Sequence, residues 1–200
     1  MNEKIINEII EREWAFFDKV EHVDGRASCQ NNWDDFVKYR KAQFDVFEGE
    51  LLESYLADLK QYEQLEYNPI MLKYAYMMES TEREEFEKFS DKLPKIGEEK
   101  AKIIEEIIKI ELSMRIEFER EFPNLSSTSR AVFTENDSKY SSSFETYLRG
   151  ELSTYSPKTL YLYAKCLLNL MNTGENMIRI IQENTVKNFG FSSLQEAENR

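Results

Sequence analysis

Apolar residues recur at helical spacing through almost the whole chain, and that regularity leaves few folds open. In residues 3–20, Ile6, Ile9, Ile10, Phe16, Phe17 and Val20 fall on one face of a helix. Residues 33–47 repeat the pattern with Trp33, Phe36, Val37, Phe44 and Phe47. Nearly every later segment carries this period rather than the two-residue period of a strand. Composition agrees. Six Gly and four Pro in 200 residues are too few for a turn-rich β-sandwich or barrel. A chain that is 41% hydrophobic and 13% aromatic buries a core, so wholesale disorder is excluded. The expectation is all-α: one compact multi-helix domain over residues 1–200, with about eight helices.

Local signals place the helix ends. Gly49 marks a break before a helix carrying Leu52, Tyr55, Leu56 and Leu59. Asn68-Pro69 and Ser156-Pro157 each read as a cap followed by proline at the first helical position. Thr81-x-x-Glu84 has the form of a capping box and predicts a helix that ends at Leu93-Pro94. A long helix is expected over 97–122, stopped by Pro123, with a loop over 123–137. Helices follow over 138–152, 157–172 and 174–189, and Ser193-x-x-Glu196 caps a last short turn.

The chain also reads as two pseudo-repeated halves, 1–92 and 97–190. Ile5 to Ile10 recurs as Ile103 to Ile108, with Glu13 matched by Glu111. Arg26-Ala27 recurs as Arg130-Ala131, Glu53 to Leu56 as Glu145 to Leu148, and Tyr67 to Pro69 as Tyr155 to Pro157. Such order predicts a pseudo-twofold whose halves meet along the two first helices, although helical periodicity alone also generates matches of this kind.

Charge narrows the function. A formal charge of -12 repels polyanions, so non-specific nucleic-acid binding is not expected. Cys29 and Cys166 stand far apart, which suits neither a disulfide scaffold nor a zinc ribbon. The first residues lack the features of a signal peptide, and no apolar run is long enough to span a bilayer. A cytoplasmic protein with no membrane attachment is expected. One histidine, His22, and no Glu-x-x-His exclude a di-iron carboxylate bundle, and no EF-hand, Walker, Rossmann or Gly-x-Ser-x-Gly pattern occurs. No cofactor and no metal are implied.

Three charges interrupt the apolar stripes. Glu13 lies four after Ile9 and three before Phe16; Glu111 lies three after Ile108 and three before Met114; Arg40 lies four after Phe36 and four before Phe44. An unpaired charge in the interior is too costly to keep. Each must find a partner, shift its pKa or meet a ligand. A structural network with Arg40, Arg26 or Arg130 and a carboxylate-lined site both satisfy that requirement. The segment 22–32 adds Arg26, Ser28, Cys29 and Gln30 beside a helix start, where an anion could be held by backbone N–H groups and guanidinium. The plainer reading is a connector capped by Asn31 or Asn32. Catalysis by Cys29 would need His22 as its base. Tyr147, Tyr155, Tyr161 and Tyr163 either line an aromatic groove or fill the core.

Glu13-Trp14, Phe17-Asp18, Gly25 to Gln30, Trp33 and Phe36, with Ser143 to Ser153 and Tyr155 to Pro157, resemble a bacterial family catalogued as a domain of unknown function. The resemblance spans nearly the whole chain. It implies no activity or catalytic residue. Some relatives are joined to a nucleotidyltransferase-like domain, which implies a helical partner of nucleotide chemistry. The sequence thus supports a helical binding or regulatory module for a small anionic ligand or a protein partner. Its expected lining is Glu13, Arg26, Ser28, Cys29, Gln30, Arg40, Glu111 and Arg130. The alternatives are an enzyme with Glu13 or Glu111 as general base, and a homodimeric interaction protein.

Overall fold

The computed structural model describes residues 2–21 and 25–200. Among them are eleven α-helices and no β-strand. The helices are α1 (Asn2–Phe17), α2 (Trp33–Phe44), α3 (Gly49–Gln64), α4 (Pro69–Thr81), α5 (Arg83–Phe86), α6 (Glu98–Glu121), α7 (Pro123–Ser126), α8 (Phe144–Thr154), α9 (Pro157–Asn172), α10 (Met177–Asn188) and α11 (Leu194–Glu198). Eight of these run eleven residues or more; α5, α7 and α11 are single turns. No helix among the described residues is long and apolar enough to cross a membrane.

The caps follow the local chemistry. Asn68 Oδ1 accepts from the N–H groups of Ile70 and Met71 at 2.9 and 3.1 Å, and its Nδ2 donates to the Phe16 carbonyl. The same side chain therefore starts α4 and ties it to the end of α1. Ser156 Oγ accepts from Thr159 N–H, while Asp58 on α3 accepts from Ser156 N–H at 2.9 Å. The helix α9 ends where Gly174 adopts φ +74°, a left-handed position that L side chains resist, and Glu175 N–H donates back to the Leu170 carbonyl.

The capping box at Thr81 does not form. The helix α4 continues through Thr81, whose hydroxyl donates to the Met77 carbonyl, and α5 starts only at Arg83. Residues 82–97 hold one α-turn and one 3-10 turn, neither with a buried residue, so nothing stabilises a longer helix there. The helix expected from 138 begins at Phe144, where Ser143 supplies the cap.

One apolar cluster joins the long helices. The stripes Ile6, Ile9 and Ile10 of α1, Leu51, Leu52 and Leu59 of α3, and Ile104, Ile107 and Ile108 of α6 are almost fully buried. Each such side chain contributes about 1.5–3 kcal/mol relative to exposure. The principal packings set α4 on α8, α1 on α3, α2 on α10, α6 on α8 and α10, and α3 on α9. The matched helices α1 and α6 are not a principal pair, so the expected meeting of two halves along them is not what the fold does.

The α4–α8 contact depends on one glycine. A Cβ on Gly150 would lie 2.7 Å from Met77 Cγ and 2.9 Å from the Lys73 carbonyl oxygen. Met77 is flexible; the backbone oxygen is not. Gly150→Ala is expected to destabilise by about 1–3 kcal/mol, against the ~1 kcal/mol that alanine normally gains in a helix. Urea unfolding checks this, and a neutral or stabilising result would show that the two helices separate at little cost.

Candidate functional site

The charges that interrupt the stripes resolve in two ways. Arg40 on α2 grips Glu13 on α1 with two bonds, Nε to Oε2 at 2.6 Å and Nη2 to Oε1 at 2.5 Å. Tyr55 on α3 donates to Glu13 Oε1 at 2.6 Å, and Gln43 accepts from Arg40 Nη1 at 2.7 Å. Arg40 also lies 3.5 Å from Glu151 on α8, which accepts from Lys73 on α4 at 2.6 Å and from Tyr155 at 3.2 Å. Two carboxylates and two cations thus form one neutral cluster linking α1, α2, α3, α4 and α8. Burial by itself would raise the Glu151 carboxyl, but Lys73 and then Arg40 outweigh it and hold it down at about 2.

Glu111 takes the other course. Its Oε1 accepts from Tyr163 at 2.7 Å, and no cation pairs with it among the described residues. Burial raises its carboxyl to about 8; the Tyr163 hydroxyl lowers it less than burial raises it, and the charge of Glu151 adds to the rise. At neutral pH Glu111 is therefore mainly protonated. Lys73 and Glu151, missed as members of the cluster, carried the same signal as Glu13. Lys73 lies four after Pro69 and four before Met77, and Glu151 lies three after Leu148 and four before Tyr155.

The segment preceding α2 is closed on itself. Arg26 donates from Nε to Asn31 at 2.8 Å, from Nη1 to the Asp18 carbonyl at 3.2 Å, and from Nη2 to the Gln30 carbonyl at 2.6 Å and the Asp18 carboxylate. Gln30 is buried; its Nε2 donates to the Phe17 and Val20 carbonyls at 2.8 and 2.9 Å, and its Oε1 accepts from Ala27 N–H. It closes the end of α1. Asn32 caps α2 through Asp35 N–H. Ser28 and Cys29 are exposed. His22 lies outside the described residues. Arg130 binds Ser142 and stacks at 4.6 Å on the Tyr147 ring, whose centre also lies 3.2 Å from Lys73 Nζ. Tyr155 and Tyr163 belong to the core, whereas Tyr161 is exposed. The eight expected residues therefore stand in several places: Glu13 with Arg40, Glu111 apart with Tyr163, Arg26 with Gln30, and Arg130 against Tyr147.

The concavity lies elsewhere, between α4, α6 and α8, with a volume of about 550 Å³. Each helix presents a stripe of one face. Helix α4 gives Tyr76, Glu79 and Ser80; α6 gives Ala101, Ile104 and Glu105; α8 gives Thr146, Arg149, Gly150 and Ser153. These are the i, i+3, i+4 and i+7 positions at which packed helices normally interlock. On α8 they are Thr146, Arg149, Gly150 and Ser153, and Gly150 is also the point where α4 and α8 touch. Ile96 and Thr134 add to the wall. A second concavity, lined by Glu3, Lys4, Asn7, Glu8 and Glu11, occupies a single face of α1. Glu13 and Glu111 line neither. Among the described residues no group of His, Cys, Asp and Glu is arranged to hold a metal.

Fold and cleft together define an all-helical protein with a solvent-open cleft of mixed apolar and polar lining between three of its helices. The chain belongs to the family described as "Protein of unknown function (DUF4125)", which matches residues 3–199. No curated protein and no solved structure matches it.

Proposed function

We propose that the protein is a small-ligand-binding helical module whose site is the cleft between α4, α6 and α8. The observation that carries this reading is the set of three stripes converging on one concavity of about 550 Å³, the size of a small-molecule site. The Ser80 and Ser153 hydroxyls donate to Asp137 and to the Arg149 carbonyl, which leaves their oxygens to accept from a ligand, while Ile96, Ala101 and Ile104 offer an apolar surface. The cleft is favoured over the 22–32 segment because the Arg26 donors already bind Asp18, Gln30 and Asn31. General-base catalysis by Glu13 or Glu111 is disfavoured, because one is ion-paired and both lie away from the cleft. The free thiols and the acidic chain suit a bacterial cytoplasm.

An origin in two related halves has support of the same kind. Matching α3 with α8 and α4 with α9 makes the packings α3 on α9 and α8 on α4 interchange, and α1 on α3 corresponds to α6 on α8.

A thermal-shift screen tests the binding reading, with nucleotides, phosphorylated metabolites, amino acids and amines as probes. A ligand at ~100 times its Kd adds about 2.7 kcal/mol to stability. The expected result is a shift from one chemical class that Ala101→Trp, which fills the cleft, removes. A shift that survives this change would move the site elsewhere.

A further inference from the structure

We infer that the cleft takes an amphiphile with a cationic head, of the alkylamine or arylalkylamine class, seated on Tyr76 and Glu79; this rests on the cleft being the ligand site.

The charges that line it are not equivalent. Arg149 already binds two carboxylates: Nε and Nη2 donate to Glu105 at 2.8 and 3.0 Å, and Nη2 donates to Glu145 at 2.8 Å. Arg83 of α5, which also lines the cleft, donates from Nε to Glu87 at 3.1 Å in an exposed pair. Glu79, by contrast, makes no hydrogen bond or ion pair with any described residue. An entering anion meets Arg149 already shared between two carboxylates, and beyond it only the exposed Arg83, whose pair with Glu87 uses Nε alone. An entering ammonium meets a carboxylate that is not engaged.

The neighbours of Glu79 complete the seat. Tyr76 lies one turn earlier on the same face of α4, and its hydroxyl donates to the Pro94 carbonyl at 2.7 Å, which fixes the ring in the cleft wall. An aromatic ring beside a carboxylate attracts an ammonium by its face as well as by Coulomb energy. Ser80 donates to Asp137, which Thr146 and the Ser143 N–H also hold as a carboxylate, so a further negative charge stands behind this wall. The net charge of -12 adds a long-range field of the same sign. In the same cleft, Ile96, Ala101 and Ile104 supply the surface for an apolar tail.

Three probes with one tail and different heads test the inference: 4-phenylbutylamine, 4-phenylbutan-1-ol and 4-phenylbutyrate, titrated calorimetrically into the full chain at up to millimolar concentration. The amine is expected to bind about tenfold more tightly than the carboxylate, with the alcohol between them. Glu79→Gln should weaken the amine about threefold to fivefold and leave the alcohol unchanged. Glu79 is exposed, so this variant keeps the fold and carries the test even where Ala101→Trp does not fold. Equal or tighter binding of the carboxylate, lost in Ala101→Trp, would overturn the cationic class and leave the cleft as a site. No binding by any probe, or binding indifferent to both variants, would overturn both.

Discussion

Glu111→Gln is expected to stabilise the protein by about 3 kcal/mol at pH 7, and by more at pH 8. The cause is a carboxyl that burial raises from 4.5 to about 8 in the folded chain. Between those two values the unfolded chain releases the proton and the folded chain keeps it. The unfolded state therefore binds fewer protons, and stability falls as pH rises through this window, by about 1.4 kcal/mol per pH unit. Glutamine removes the titration and keeps an oxygen to accept from Tyr163, which donates at 2.7 Å in the wild type. Glu151 acts in the opposite sense, because its carboxyl is held at about 2. Its contribution is complete above about 4.5 and is lost as pH falls toward 2. From these two residues together, stability is greatest near pH 4.5 to 5. Urea unfolding of wild type and Glu111→Gln at pH 5, 7 and 8 measures the difference. Parallel pH profiles would mean that Glu111 is ionised in the folded protein.

The second large effect is at Glu151, the carboxylate shared by Lys73 and Arg40. Glu151→Gln leaves the Lys73 ammonium in the interior without a counter-charge, and such a change costs about 3–5 kcal/mol. For a chain of this size that lowers Tm by roughly 10 °C. The same change at Glu13 should cost less, because Arg40 retains Glu151 at 3.5 Å. Adding Lys73→Met to Glu151→Gln should recover much of the loss, since removing both charges is far less costly than removing one. Calorimetric melts of the single and double variants decide the matter. Equal losses in both would show that the cluster holds its helices by shape and not by charge pairing.

The buried cluster shows how far local sequence carries. A charge at a stripe position announces that the charge is inside, because i, i+3 and i+4 neighbours share its face whatever the rest of the chain does. Glu13, Arg40 and Glu111 were legible on that ground. Which of them pair was not. Glu13 meets Arg40 27 residues away, and Lys73 meets Glu151 78 residues away, while Glu111 has an equivalent place in its own helix and meets a tyrosine instead. Arg26 and Gln30 were legible as polar groups near a helix start, but their closure onto Asp18, Phe17 and Val20 depends on the turn back against α1.

What the sequence determined by itself was the helical class, most of the helix ends and the presence of charge in the interior. These follow from interactions within about one turn, as at Asn68-Pro69 and Ser156-Pro157, where cap and proline act on the next three residues. Thr81 shows the limit even there, since the same hydroxyl that would cap a new helix is taken by the turn before it. Only the tertiary structure decided the cleft. It is lined by single faces of α4, α6 and α8 drawn from residues 76 to 153. Its width depends on how closely α4 approaches α8 over Gly150. Space left between helices has no local signature, because it is fixed by the distances between elements and not by the conformation of any one of them.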